Sequence, residues 1–227
     1  SAIGVALGMI QDTVERTVVN PTGSDLVKVR RAAVESVVAM GASPDTIEVK
    51  VEVDTRQKRV VATARGTPEL RTKPDSGRLP AEEELRRIAA RSCGLPIEAM
   101  ALAGRAGTLS VFRGRQSTRR VFGLLQGERH PVRVIDHEGV VRLTVADALA
   151  VSGSLSGLVG ELNGLVDDLS TFGDAGGLIP DVFVAVAGRL VDLSGLATRD
   201  QVLSLVRAES DTIGADEDAV AILSRKR

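Results

Sequence analysis

TGSDLVKVRRAAVESVVAMGASPDTIEVKVEVDTRQKRVVATAR, residues 22–65, carries three local signals that agree on one supersecondary unit. Pro21, Thr22, Gly23 and Ser24 break the preceding segment, and the Ser24 hydroxyl suits an N-cap, where it accepts a bond from an orphan backbone N–H. A helix is expected from Asp25 to Met40, because Leu26, Val29, Ala33, Val37 and Met40 recur three and four apart. Gly41 supplies the left-handed residue that ends it. After Ser43, Pro44 and Asp45 comes strict alternation, with Ile47, Val49, Val51 and Val53 on one face and Glu48, Lys50, Glu52 and Asp54 on the other. That pattern is a half-buried strand. Thr55 to Arg59 is a polar turn and Val60 to Arg65 a returning strand, so the unit reads as a helix packed on a β-hairpin. It holds no reactive group of its own.

Residues 1–65 are expected to form an N-terminal unit, 66–80 a linker and 81–227 a mixed α/β section. The apolar run Ala2 to Val19, with Asp12, Glu15 and Arg16 late in it, reads as a helix. Pro68, Pro74 and Pro80 mark the linker. A second helix starts at Pro80, with Glu82, Glu83 and Glu84 at its positive end and Arg86, Arg87 and Arg91 toward the other, and Gly94 and Pro96 stop it. Five strands are expected next: Ala99–Leu102, Thr108–Arg113, Thr118–Leu125, Val132–Ile135 and Val140–Leu143. The last two are joined by a turn at Asp136 to Gly139. Thr144 to Leu169 gives the longest helical pattern. Leu155, Leu158, Leu162, Leu165 and Leu169 share one face, and Gly153, Gly157, Gly160 and Gly164 form a stripe beside it. Glycine there costs helicity, so the stripe predicts close approach of another backbone, within the domain or in a homo-oligomer. Thr171 to Gly177 reads as a flexible loop and Val182 to Val186 as a buried strand. Thr198 and Gln201 make a capping box for a last helix ended by Gly214, and Ala219 to Leu223 is a final strand. The fold class is α+β, ending in a strand-helix-strand that permits a crossover.

Length and composition set bounds. A chain of 227 residues with 43% hydrophobic residues can bury a sizeable core. Its 29 basic and 30 acidic residues nearly cancel, which argues against a surface that tracks nucleic acid or anionic lipid. With no Trp, no Tyr and 4 Phe, stacking platforms for bases are scarce. The lone Cys93 excludes an internal disulfide and suits a reducing cytoplasm. No signal-type segment and no membrane-length apolar run is present in the sequence.

Chemistry-bearing motifs are few. The dense basic cluster is Arg113, Arg115, Arg119 and Arg120, with Arg129, His130, Arg133 and Arg142 close in sequence. It suits a phosphate, an acidic partner surface or an RNA backbone, or else plain solvated strand faces. His137, between Asp136 and Glu138 in a turn, could bind a metal, a ligand or a partner, or move a proton as the acid or base of an enzyme reading, though a plain exposed turn explains it more simply. There is no Gly-x-x-x-x-Gly-Lys-Ser/Thr loop, no Gly-x-Ser-x-Gly elbow and no His-Glu-x-x-His pair, so neither a catalytic residue nor a metal ligand is assigned.

The run Ala2-Ile3-Gly4-Val5-Ala6-Leu7-Gly8, followed by a helix ending Met40-Gly41-Ala42-Ser43-Pro44-Asp45-Thr46-Ile47-Glu48-Val49, resembles the C-terminal part of hydantoinase/oxoprolinase-type proteins. It is also similar to the related diol-dehydratase-reactivase ATPases. The resemblance covers about the first third of the chain. It implies an actin-like ATPase core upstream of Ser1, where ATP and a divalent metal would bind, and no cofactor in this chain. The expected role is then non-catalytic: packing on the upstream actin-like domain and docking a partner enzyme subunit, with neither membrane nor nucleic acid as partner. The alternative expectation is an independent module that binds an anionic ligand or RNA through the arginine-rich strands.

Overall fold

The computed structural model describes residues 8–68, 80–120, 125–173 and 176–226. The opening stretch folds as expected in outline, with helix α1 (Gly23–Ala39), strand β2 (Glu48–Asp54) and strand β3 (Arg59–Gly66) preceded by strand β1 (Ile10–Thr17). Leu26, Val29, Ala33 and Val37 are buried, as the spacing requires, but Met40 is 56% exposed because the helix ends one residue before it. Thr22, not Ser24, begins the helix. Its backbone N–H and its hydroxyl both donate to the Asp25 carboxylate, at 3.0 and 2.7 Å. Gly41 closes the helix at φ +95°.

The run expected as a first helix is instead a strand over its described part. β1 pairs antiparallel with β3, Ile10 opposite Gly66 and Thr17 opposite Arg59. Ile10, Asp12 and Val14 share the face toward α1, where the Ser36 hydroxyl donates to Asp12. This period-two pattern, with β-branched Thr13, Val14 and Thr17, outweighs the helical reading once β3 offers a ladder. Residues 2–7 of the resemblance lie outside the described residues.

Downstream come helix α2 (Glu82–Cys93) and strands β4 (Met100–Ala106), β5 (Leu109–Gly114), β6 (Gln116–Arg120), β7 (Leu125–Arg129), β8 (Val132–Asp136), β9 (Val141–Val145) and β10 (Leu149–Ser154). Helix α3 (Leu155–Leu169) and strands β11 (Thr171–Gly173), β12 (Gly176–Leu178), β13 (Asp181–Val186) and β14 (Arg189–Gly195) follow, then helix α4 (Arg199–Ile213) and strand β15 (Asp218–Ser224). Several expectations are corrected here. Of the strand expected at Thr118–Leu125, residues 121–124 lie outside the described residues, and the two described ends belong to different strands, β6 and β7, which pair antiparallel. The helix expected from Thr144 is two elements, β10 and α3, and Ser154 is the boundary because its hydroxyl caps the Gly157 N–H at 3.2 Å. The expected loop at Thr171 to Gly177 contains the paired strands β11 and β12. β14 lay hidden behind a two-residue turn, Ala187 and Gly188, both at positive φ.

The fold is α+β and layered. A seven-stranded mixed sheet runs β1-β3-β2-β14-β13-β15-β10, so strands from both sides of residues 66–80 stand in one sheet. β14 meets β2 in parallel while the other neighbours are antiparallel. Helices α1, α3 and α4 bury their leucines and valines on one face of it. Against the other face packs a four-stranded sheet, β4-β5-β8-β9, through Val111, Val132 and Val134 meeting Ala185, Val220 and Ile222. Helix α2 covers the outer face of that second sheet with Leu85, Ala89 and Ala90 on Phe112 and Ile135. Among the described residues Gly160 and Gly164 of the glycine stripe serve no close packing, since a methyl added at either would meet open space, and Gly157 approaches only the capping Ser154 hydroxyl. The tight approach lies elsewhere, where the β4–β5 turn touches the β13–β14 turn. A Cβ on Gly107 (φ +59°) would stand 2.4 Å from the Gly188 nitrogen, which donates to the Ala106 carbonyl at 3.0 Å.

Candidate functional site

The residues singled out by sequence do not gather at one place. Arg113 stands at one end of β5, opposite Val132 of β8, while Asp136 pairs with Leu109 at the other end and His137 follows it. Four extended residues, about 13 Å, separate the two positions. His137 is exposed in its turn, and its neighbour Asp136 is occupied structurally. Asp136 accepts the backbone N–H groups of Glu138 (3.0 Å) and Val140 (2.9 Å) and the Arg142 Nε (2.8 Å). Arg115 pairs with Glu128, and that bond holds the Glu128 carboxyl below its ordinary value. Arg119 and Arg120 lie in β6, and their side chains fall outside the described residues. Arg133 is buried and spent on the fold: its guanidinium donates to the Ser92 hydroxyl (2.6 Å) and carbonyl (2.9 Å) at the C-terminal end of α2. That is where a helix favours a cation.

Arg113 lines a cleft of about 1040 Å³, and here it meets partners from distant sequence: Arg129 and His130 at the end of β7, and Arg225 and Lys226 just past β15. The walls are tied by the 146–148 loop. The His130 N–H donates to the Asp147 carboxylate (2.9 Å), the Ala148 N–H to the His130 carbonyl (2.9 Å), and the Ser224 hydroxyl to the Asp147 carbonyl (2.8 Å). Leu149, Leu169, Leu178 and Leu223 add apolar patches, with Leu178 half-exposed.

The charges in this cleft are unequally spent. The acids are engaged within the protein, since Glu128 holds Arg115, Asp181 holds Lys226 at 3.3 Å, and Asp147 caps the His130 N–H. Among the described residues Arg225 donates to a carbonyl alone, that of Asp168 at the end of α3, at 3.4 Å. Among the described residues no carboxylate pairs with Arg113, Arg129 or Arg225, and the buried Arg113 Nε has no hydrogen-bond partner. Guanidinium groups left so can donate to carboxylates or phosphates in a forked geometry, and desolvation by the cleft strengthens that bond. The arrangement can bind an anionic ligand flanked by apolar groups.

Of these cations the sequence cluster contains Arg113 and Arg129, whereas Arg225 and Lys226 read only as a basic tail. Their meeting depends on β15 running between β13 and β10, a pairing no local pattern announces. Among the described residues no three His, Cys, Asp or Glu side chains converge to hold a metal, and no helix is long and apolar enough to cross a membrane. Cys93 is half-buried, and burial pushes its thiol up. No protein-family model, no curated protein and no solved structure matches this chain.

Proposed function

We propose that the chain is a docking section, non-catalytic in itself, of a cytoplasmic hydantoinase/oxoprolinase- or dehydratase-reactivase-like protein. In this reading it holds an acidic segment of the actin-like domain or of a partner enzyme subunit in the cleft around Arg113. The observation that supports it is the unequal spending of charge: the cleft's acids are engaged internally, while Arg113, Arg129 and Arg225 face it without carboxylate partners among the described residues. The leucines beside them suit an acidic peptide with interspersed apolar side chains better than a bare phosphate chain.

The test is fluorescence anisotropy with a labelled Asp/Glu/Leu decapeptide and its Asn/Gln/Leu counterpart. The acidic peptide should bind, and Arg113→Gln with Arg129→Gln should weaken it about tenfold or more, the loss of two charge-assisted bonds. Raising salt from about 0.05 to 0.5 M should weaken it as well, because screening shortens the reach of these charges. Equal binding of the uncharged peptide, an unaffected double variant, or tighter binding of a single-stranded RNA of equal charge would each overturn the proposal.

A further inference from the structure

A second cavity, of about 530 Å³, lies between α1, β2, the start of β14 and α4. Its volume falls within the range of about 300–1,000 Å³ common for small-molecule sites. Val27 and Val34 of α1 and Val49 of β2 give it an apolar wall. Set into this wall is an ion pair between Arg30 of α1 and Glu209 of α4, whose side chains are 17% and 3% exposed.

The cavity is lined by three cations, Arg30, Arg31 and Arg189, and three acids, Glu35, Glu209 and Asp211, but they are unevenly paired. Arg189, at the first residue of β14, also lines the cavity, and its Nε is buried with no hydrogen-bond partner. The Arg30 Nε is likewise buried without a partner, whereas the Glu209 Oε1 is the atom that meets the Arg30 guanidinium in the ion pair. Arg189 sits close enough to oppose the charge on Arg30 and to favour that on Glu209, although burial is the larger influence on both. Among the described residues Arg30 alone is ion-paired with the buried carboxylate, and Arg189 acts on it only from a longer distance. At the mouth, Glu35 is taken up by Arg31 at 2.7 Å, and Asp211 is exposed on α4 with no ion pair to Arg189 among the described residues. Arg189 is only partly buried, yet its Nε is buried without a partner, a donor that an anion entering the cavity would satisfy.

We infer that this cavity binds a small aliphatic monocarboxylate, its carboxylate on the Arg189 guanidinium and its hydrocarbon body against Val27, Val34 and Val49. One negative charge matches the one guanidinium left without an ion pair. A dianion would overshoot it beside the buried Glu209 and would leave the valine wall wet, and a neutral ligand would leave Arg189 uncompensated. Arg189 is the natural donor because Arg30 already holds Glu209. The site shares no residue with the cleft around Arg113 and stands independently of the docking proposal.

Isothermal titration and methyl-detected NMR of the whole chain test it, with isovalerate and the isosteric, uncharged isovaleramide as probes. Isovalerate should bind and shift the methyl signals of Val27 and Val34, and the amide should bind at least about tenfold more weakly. Arg189→Gln should weaken isovalerate by about ten- to a hundredfold, the loss of a charged hydrogen-bonding partner. Val34→Phe, which fills the cavity from a partly buried helix position, should do the same by occupancy, and Arg113→Gln should change nothing. Equal binding of acid and amide, unchanged binding by Arg189→Gln, or no isovalerate binding at about 10 mM would overturn the inference.

Discussion

Removing Glu209 alone should be far worse for the fold than removing it together with Arg30. Glu209→Leu leaves Arg30 buried without its carboxylate, and the neighbouring Arg189 adds a second cation to the same apolar surroundings. Breaking one side of a buried pair costs about 3–5 kcal/mol, and Arg30 retains some access to water, so about 3 kcal/mol is expected. Arg30→Met is milder, about 1–2 kcal/mol, because Arg189 remains beside Glu209 to compensate it. The double variant should lie within about 1 kcal/mol of the natural chain, since two charges no longer have to be desolvated. The coupling between the two positions is then several kcal/mol, measurable by urea unfolding with a common m-value across the series. In thermal melts Glu209→Leu should fall by about 6–12 °C, at 2–4 °C per kcal/mol for a chain of this size. A double variant as unstable as Glu209→Leu, or an Arg30→Met more damaging than Glu209→Leu, would refute the reasoning.

Two further outcomes follow from local geometry. Gly107→Ala should destabilise the chain by at least about 2 kcal/mol, because a methyl there meets the Gly188 backbone at positive φ, while Gly160→Ala on the open face of α3 should stabilise it by about 0.5–1 kcal/mol; urea midpoints compare them, and equal effects would contradict the packing described. The Thr22 hydroxyl is the first cause holding the Asp25 carboxyl below its ordinary 3.8, so Asp25 stabilises the fold above pH 3.8 and that contribution is lost as pH falls through the lowered folded value; Thr22→Val should move Asp25 back toward 3.8 in a carboxyl-detected NMR titration, and an unmoved Asp25 would count against the cap.

What could be read from sequence was whatever a single element decides for itself. The i, i+3, i+4 line of α1, the alternation of β2, and the Thr198–Gln201 capping box of α4 need no distant partner, and each stands where expected, Met40 at the end of α1 excepted. The misreadings share a cause. Ile10–Thr17 carries apolar and polar residues that suit either period, and β3, some fifty residues on, decides for the strand. Leu149–Ser154 ran into the leucine pattern of α3 because β10 is only half-buried and lacks a clear alternation, although Ser154 carried the boundary signal in its capping hydroxyl. The candidate cleft was half legible for the same reason. Arg113 and Arg129 are near in sequence, but Arg225 and Lys226 join them through the sheet order alone, and two other members of the cluster, Arg133 and Arg142, are consumed by Ser92 and Asp136. The buried Arg30–Glu209 pair gave no local sign, since each residue sits in an ordinary amphipathic helix and their meeting depends on α1 crossing α4.

The parallel pairing of β2 with β14 has a consequence for how the chain is made. β2 is complete at Asp54, but its neighbour ends at Gly195. At the ribosome's pace of about 5–20 residues per second, the far side of that hairpin waits roughly 7–30 s for its partner. During that interval Val49 and Val51 lie on a ribbon with one unpaired border, a template for the equivalent strand of another nascent copy. Lys50 and Glu52, the charged residues between those valines, oppose such pairing by like-charge contact when two copies align in parallel register. Newly made chains should therefore aggregate more readily when Lys50 and Glu52 are both neutralised, even where the finished protein is equally stable.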